Sequence, residues 1–128
     1  MFQSLDVFQT AYDMARHAGQ RQAVTARNIA NADTPGYRAQ TMDSFAEAYR
    51  GHETTTLRST RAGHIGGADA GAAAARARMA DAEPSPNGNS VSLEEEMLRG
   101  VEIQREHNRA LAIYKHGLDV LRMSIGRR

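Results

Sequence analysis

The stretch Asn28-Ile29-Ala30-Asn31-Ala32-Asp33-Thr34-Pro35-Gly36-Tyr37 ends a helical pattern on a turn of specific composition. Pro35 presets φ for the second position of a tight turn, and Gly36 accepts the positive φ that a type II turn demands at the third. Residues 34–37 are therefore read as a turn. Just upstream, Asn28 and Asn31 bracket Ile29 and Ala30, so the last helical turn is small and polar, with room for another backbone or side chain to approach. Asn, Pro and Gly also close ordinary helices, so these residues taken singly mark only a helix exit.

Towards the N-terminus, Leu5, Phe8, Tyr12, Ala15, Gly19, Ala26 and Ile29 recur at spacings of three and four, with Gln22 in the one polar slot. This pattern predicts a heptad seam roughly 37 Å long at 1.5 Å per residue. Ala15, Ala18 and Gly19 narrow its middle and permit close helix approach. A helix of a small bundle would show the same period, but the chain offers few partner helices.

Towards the C-terminus, Asn87-Gly88-Asn89 signals a turn, Ser92 is a good N-cap and Glu95 completes a capping-box pattern. Glu94, Glu95 and Glu96 suit the positive end of a helix dipole, as Arg122, Arg127 and Arg128 suit the opposite end. A second seam runs through Leu93, Met97, Gly100, Gln104, His107, Leu111, Tyr114, Leu118, Leu121 and Ile125, with Glu95 and Arg99 placed to pair at i,i+4. Gln104 and His107 are its polar positions. Solvent or local hydrogen bonds account for them, and setting register is the alternative.

Between the helices lie most of the remaining glycines, the run from Ala72 to Ala75, Pro84 and Pro86. Residues 54–60 could form a short strand, and Phe45 with Tyr49 suggests a short helix within residues 41–50. The expected fold is mainly α: two long terminal helices forming a coiled-coil-like hairpin, with an irregular central segment that has some β potential. The expected organisation is an N-terminal helix and turn over residues 1–37, a central segment over 38–90, extended or weakly ordered until a partner fixes it, and a C-terminal helix over 91–128. Both ends together form one assembly domain.

Composition argues against a compact enzyme. Of the 128 residues only 5% are aromatic, none is Trp, and much of the 41% hydrophobic fraction is alanine, so a self-sufficient core looks thin. The net charge of +1 supplies no global field to gather nucleic acid or an anionic membrane. Fifteen of the 16 basic residues are Arg, which suits fixed contacts at protein interfaces as well as an Arg-rich genome. With no cysteine there is no disulfide and no thiol chemistry. The opening residues lack the basic and long apolar regions of a cleaved signal peptide, and no apolar run approaches membrane-spanning length.

Catalytic motifs are missing as well. The five histidines, at 17, 52, 64, 107 and 116, are scattered, and no His-Glu-x-x-His, phosphate-cradling loop or Gly-x-Ser-x-Gly elbow occurs. No cofactor, metal or catalytic residue is expected. Arg16, Arg21 and Arg27 on the first helix and Arg58, Arg61, Arg76 and Arg78 beyond it raise an Arg-mediated nucleic-acid module as an alternative. Asp13 interrupts any such stripe and no recognition helix is evident, so no nucleic-acid partner is expected.

Taken as one string, Asn28-Ile29-Ala30-Asn31 followed by Thr34-Pro35-Gly36-Tyr37 resembles the N-terminal signature of bacterial flagellar basal-body rod and hook proteins. Gly88-Asn89-Ser90-Val91-Ser92-Leu93-Glu94-Glu95-Glu96-Met97 is similar to the lead-in to that family's last helix. The short centre makes the chain most like the family's proximal-rod component. The resemblance implies a structural subunit whose paired terminal helices stack around an axial channel in the periplasmic rod of the basal body and transmit torque. Implied partners are copies of itself, other rod proteins, membrane-ring and rod-adaptor components, and the flagellar type III apparatus that exports it without a cleaved signal peptide. The assembly interface is then expected at Leu5, Phe8, Tyr12, Asn28, Ile29, Asn31, Thr34, Pro35, Gly36, Tyr37, Leu93, Met97, Leu111, Tyr114, Leu118, Leu121 and Ile125. A helical export chaperone or adaptor is the alternative, although it would not need the Thr-Pro-Gly-Tyr turn.

Overall fold

No proline and only one glycine, Gly19, fall within residues 2–30, and they form one helix, α1 (Phe2–Ala30). The computed structural model describes residues 2–53 and 77–126, with side chains from residue 6 to 50 and from 77 to 126. After α1 come β1 (Gln40–Thr41), α2 (Phe45–Glu53), β2 (Arg78–Met79) and α3 (Leu93–Ile125). The predicted strand at residues 54–60, the alanine run, Arg58, Arg61, Arg76, Arg127 and Arg128 lie outside the described residues.

Ser92 caps α3 as predicted, its extended backbone turning into the helix and its hydroxyl accepting from Glu95 N–H at 3.5 Å. The return half of the box is replaced by Ser92 donating to the Glu94 carboxylate at 3.3 Å. At the other end Gly126 N–H donates to the Arg122 carbonyl at 2.7 Å. Glu95 pairs with Arg99 across one helical turn at 3.5 Å, as its spacing predicts.

The two long helices pack antiparallel and form the hairpin predicted for them. Thr25 lies opposite Gly100, Arg21 opposite Glu106, and Phe8 opposite Tyr114 and Gly117. Yet over most of its length the face used is one residue away from the predicted seam on both helices, although the seam residues Phe8 and Tyr114 do meet near the start of α1. On α1 the buried positions are Ala11, His17, Ala18, Val24, Thr25 and Asn28; of these Ala11, Ala18, Thr25 and Asn28 stand one place before Tyr12, Gly19, Ala26 and Ile29, where the pattern pointed. On α3 they are Glu96, Ile103 and Ala110, where it pointed to Met97, Gln104 and Leu111. One residue is about 100° around a helix, so the largest apolar side chains turn outward.

Two features explain this rotation. Alanine and glycine on the facing surfaces let the helix axes come close; a Cβ added at Gly117 would sit 2.9 Å from the Phe8 ring. In addition, Asn28 must face the strand that follows the turn, and that fixes α1 about its own axis. Gln104 is exposed and bonds Asn108 at 3.3 Å, the local solution expected of it, while His107 is half-buried.

The strands form a two-residue antiparallel ladder, Gln40 opposite Met79 and Thr41 opposite Arg78. It is prolonged by Ala80 N–H donating to Ala39 O at 2.8 Å and closed by Arg78 paired with Asp43 at 2.5 Å. The short helix suggested by Phe45 and Tyr49 is α2, begun by a reciprocal capping box. Glu47 accepts from Ser44 N–H and Oγ at 2.9 and 2.7 Å, and Ser44 Oγ accepts from Glu47 N–H at 3.3 Å. The buried apolar set is Ala11, Ala18, Val24, Ala39, Met42, Ile103 and Ala110. Alanine buries little area, so at roughly 25 cal/mol per Å² this core contributes modestly to stability.

Candidate assembly junction

The two segments singled out in the sequence, some 50 residues apart, fold into one hydrogen-bonded junction at the open end of α1. Tyr37 N–H donates to Thr34 O at 3.3 Å and Gly36 has φ +72°, which is the turn that Pro35 and Gly36 predict. Gly36 N–H then donates to Asn87 O at 3.1 Å, and Ser90 N–H donates to Tyr37 O at 3.1 Å. Gly88 has φ +81°, and a Cβ there would lie 3.3 Å from Gly36 Cα. Only glycine supplies both the positive φ and this approach at low cost.

Two asparagine side chains hold the junction. Asn28, fully buried at 0% exposure, donates through Nδ2 to Gln40 O at 2.7 Å and accepts at Oδ1 from Gln40 N–H at 3.0 Å and Tyr37 OH at 3.3 Å. It behaves as a strand partner supplied by a helix. Asn89 aims Nδ2 at the carbonyls of Asn31, Ala32 and Thr34, at 3.0, 2.7 and 2.8 Å, in the turn that follows α1. Its own Oδ1 accepts from Val91 N–H at 2.8 Å, and Ser90 Oγ accepts from Ala39 N–H at 2.9 Å. Asn31 in turn donates to Arg27 O at 2.8 Å.

Below the junction, charges tie the long helices. Arg21 donates to Glu106 at 2.6 Å across the interface. Glu96 is buried, with one carboxylate oxygen on Arg99 at 2.5 Å and the other, Oε2, without a hydrogen-bond partner among the described residues. The acidic triplet is therefore not uniform: Glu94 and Glu95 are exposed as a first helical turn predicts, and Glu96 points inward. His17 is buried too, edge-on to Phe45 with ring centres 5.8 Å apart. Burial, and then the neighbouring Arg21 charge, pull its pKa below the ordinary imidazole value, while Glu106 and Asp43 act the other way. Among the described residues no three His, Asp or Glu side chains converge to hold a metal ion, and no helix is long and apolar enough to cross a membrane.

The residues expected at the assembly interface fall into three groups, with Leu5 apart. Asn28, Asn31, Thr34, Pro35, Gly36 and Tyr37 are gathered at the junction, with Asn28 fully enclosed and residues 34–36 on its surface. Phe8 and Tyr114 meet edge to face at 5.2 Å, and Leu118 is half-buried. Tyr12, Ile29, Leu93, Met97, Leu111, Leu121 and Ile125 are exposed, Ile125 at 80%. Leu5 lies on α1, outside the described side chains.

Asn89, Ser90, Glu96 and Arg21 were not identified as site residues from sequence. Asn89 had a legible signal, sitting inside the second family-like segment, but an Asn beside Gly reads first as a turn former. The partner of Arg21 and the burial of Glu96 depend on helix rotation, which no local pattern encodes. We find no match to the chain among curated proteins. Residues 16–38, which span the second half of α1 and the turn, match the family model described as "Flagella basal body rod protein", and this supports the flagellar basal-body rod family, a structural family, for the chain.

Proposed function

We propose that this chain is a non-enzymatic structural subunit of the proximal segment of the flagellar rod, assembling through its terminal helices and transmitting torque. The match over residues 16–38 supports the rod role. The observation that carries the assembly reading is the outward-facing apolar stripe of α3, where Met97, Leu111, Leu121 and Ile125 stand exposed although the helix already has a partner in α1. Apolar side chains spread along about 42 Å of helix are an unfinished interface. Stacked copies and neighbouring rod proteins would cover them, completing the stabilisation that a core rich in alanine leaves small. The proposed route to the periplasm is export through the flagellar type III apparatus, and the proposed neighbours include membrane-ring and rod-adaptor components. Purification of basal bodies from cells producing a tagged chain tests the reading: the chain should co-purify with the rod. A chain that stays wholly in the cytosolic fraction, with basal bodies lacking it, would overturn it.

A further inference from the structure

We propose that α2 is an acid-released flap: proton uptake by His17 drives Phe45 off the face of α1 and frees α2, while the α1–α3 pair and the junction stay closed. The proposal is independent of the rod reading and rests on how His17 is enclosed. The residue is 6% exposed, and neither ring nitrogen has a hydrogen-bond partner among the described residues. An imidazolium carries two N–H donors, and each would be buried without an acceptor.

The charged groups around the ring leave it no relief. Arg21, one turn along α1, repels a second positive charge. On α3, Glu106 would attract the proton but already accepts from Arg21 at 2.6 Å. Asp43, just ahead of α2, is held by Arg78 at 2.5 Å. From α2 itself the edge of Phe45 packs on His17, at 5.8 Å between ring centres. The least costly way to hydrate a charged His17 is therefore to lift Phe45. A helix of nine residues has little stability once it loses its packing.

Burial and Arg21 lower the pKa of docked His17, so the docked state is fully stable above the ordinary imidazole value, about 6.5, and loses stability as pH falls from there. Glu47 acts in the same direction in a more acidic range. The Ser44 hydroxyl and amide hold its carboxyl below the usual value, so its contribution to the α2 cap is lost as pH drops through that lowered value.

The test follows amide exchange and the His17 imidazole resonances by NMR on the full-length chain, from about pH 7.5 to about pH 5.5. After correction for intrinsic rates, residues 45–53 should lose up to about tenfold in protection per pH unit below the ordinary imidazole value, with residues 103–110 unchanged. His17→Phe should remove that dependence. Flat protection in α2, or a loss that persists in His17→Phe, would overturn the proposal. Should the variant not fold, the wild-type imidazole decides: titration at or above the ordinary value with α2 still protected is equally fatal.

Discussion

Asn28 binds Gln40 through both of that residue's main-chain polar groups, donating to its carbonyl at 2.7 Å and accepting from its N–H at 3.0 Å. A side chain at the end of α1 thereby sets the path of the chain that leaves the turn. Asn28→Ala would strand both groups and should cost about 2 kcal/mol in urea unfolding at fixed protein concentration. Asn28→Asp keeps the acceptor but turns a carboxylate oxygen towards the Gln40 carbonyl, so it should be no better than alanine. Recovery of stability in the Asp variant would show that the Nδ2 donor contributes little.

Asn89 fixes the turn that leaves α1 by donating to the carbonyls of Asn31, Ala32 and Thr34 from a segment more than 50 residues away. Asn89→Ala should cost about 2 kcal/mol and expose the amides of residues 34–40 to exchange before those of α3. Because Asn28 and Asn89 order the same turn, the double variant should lose less than the sum of the two. Strict additivity would mean that the two side chains act on separate elements.

The turn, the Ser92 cap and the two-helix hairpin were legible because short stretches of sequence carry their signals. Pro35-Gly36 fixes dihedrals and Ser92 offers a hydroxyl to a nearby N–H, so neither depends on distant chain. The helix-facing surfaces were not legible in the same way. Period alone favoured Tyr12, Met97 and Leu111, whereas the pair closes over Ala11, Ala18 and Ala110. A heptad pattern marks which residues want burial and does not say which partner buries them. The β1–β2 ladder escaped for a different reason, since two-residue strands have no period to detect.

Gly19 and Gly117 separate intrinsic helix propensity from packing. A Cβ at Gly19 meets nothing within 4 Å, so Gly19→Ala should raise stability by up to about 1 kcal/mol. At Gly117 the same methyl would press into Phe8 at 2.9 Å, and shifting that ring also disturbs its contact with Tyr114. Gly117→Ala should therefore gain nothing or lose stability by thermal melting. If Gly19 also serves as the narrow point for a neighbouring helix, Gly19→Ala should stabilise the isolated chain and still weaken assembly.

The Arg21–Glu106 pair joins α1 to α3 with side chains only 13% and 26% exposed, so removing one partner leaves a largely enclosed charge. Glu106→Gln should cost about 1–3 kcal/mol, with little relief from added salt because the pair is poorly screened. The exposed pair of Arg122 and Asp119, at 3.9 Å, provides the control. Asp119→Asn should change stability by less than about 0.5 kcal/mol.

The outward apolar face of α3 yields the sharpest distinction between folding and assembly. Ile125 is 80% exposed and Met97 61%, so aspartate at either position leaves no cavity and buries no charge in the lone chain. Each single variant should match the parent in urea unfolding to within about 0.5 kcal/mol. Once neighbouring subunits cover that face, the same carboxylate is desolvated without a partner, and Ile125→Asp should be excluded from purified rods and abolish swimming. Leu118 is half-buried in the lone chain, so Leu118→Asp should harm folding and assembly together. Wild-type swimming with Ile125→Asp would take that face out of the interface and leave the junction surface at residues 34–36 as the place where neighbours meet.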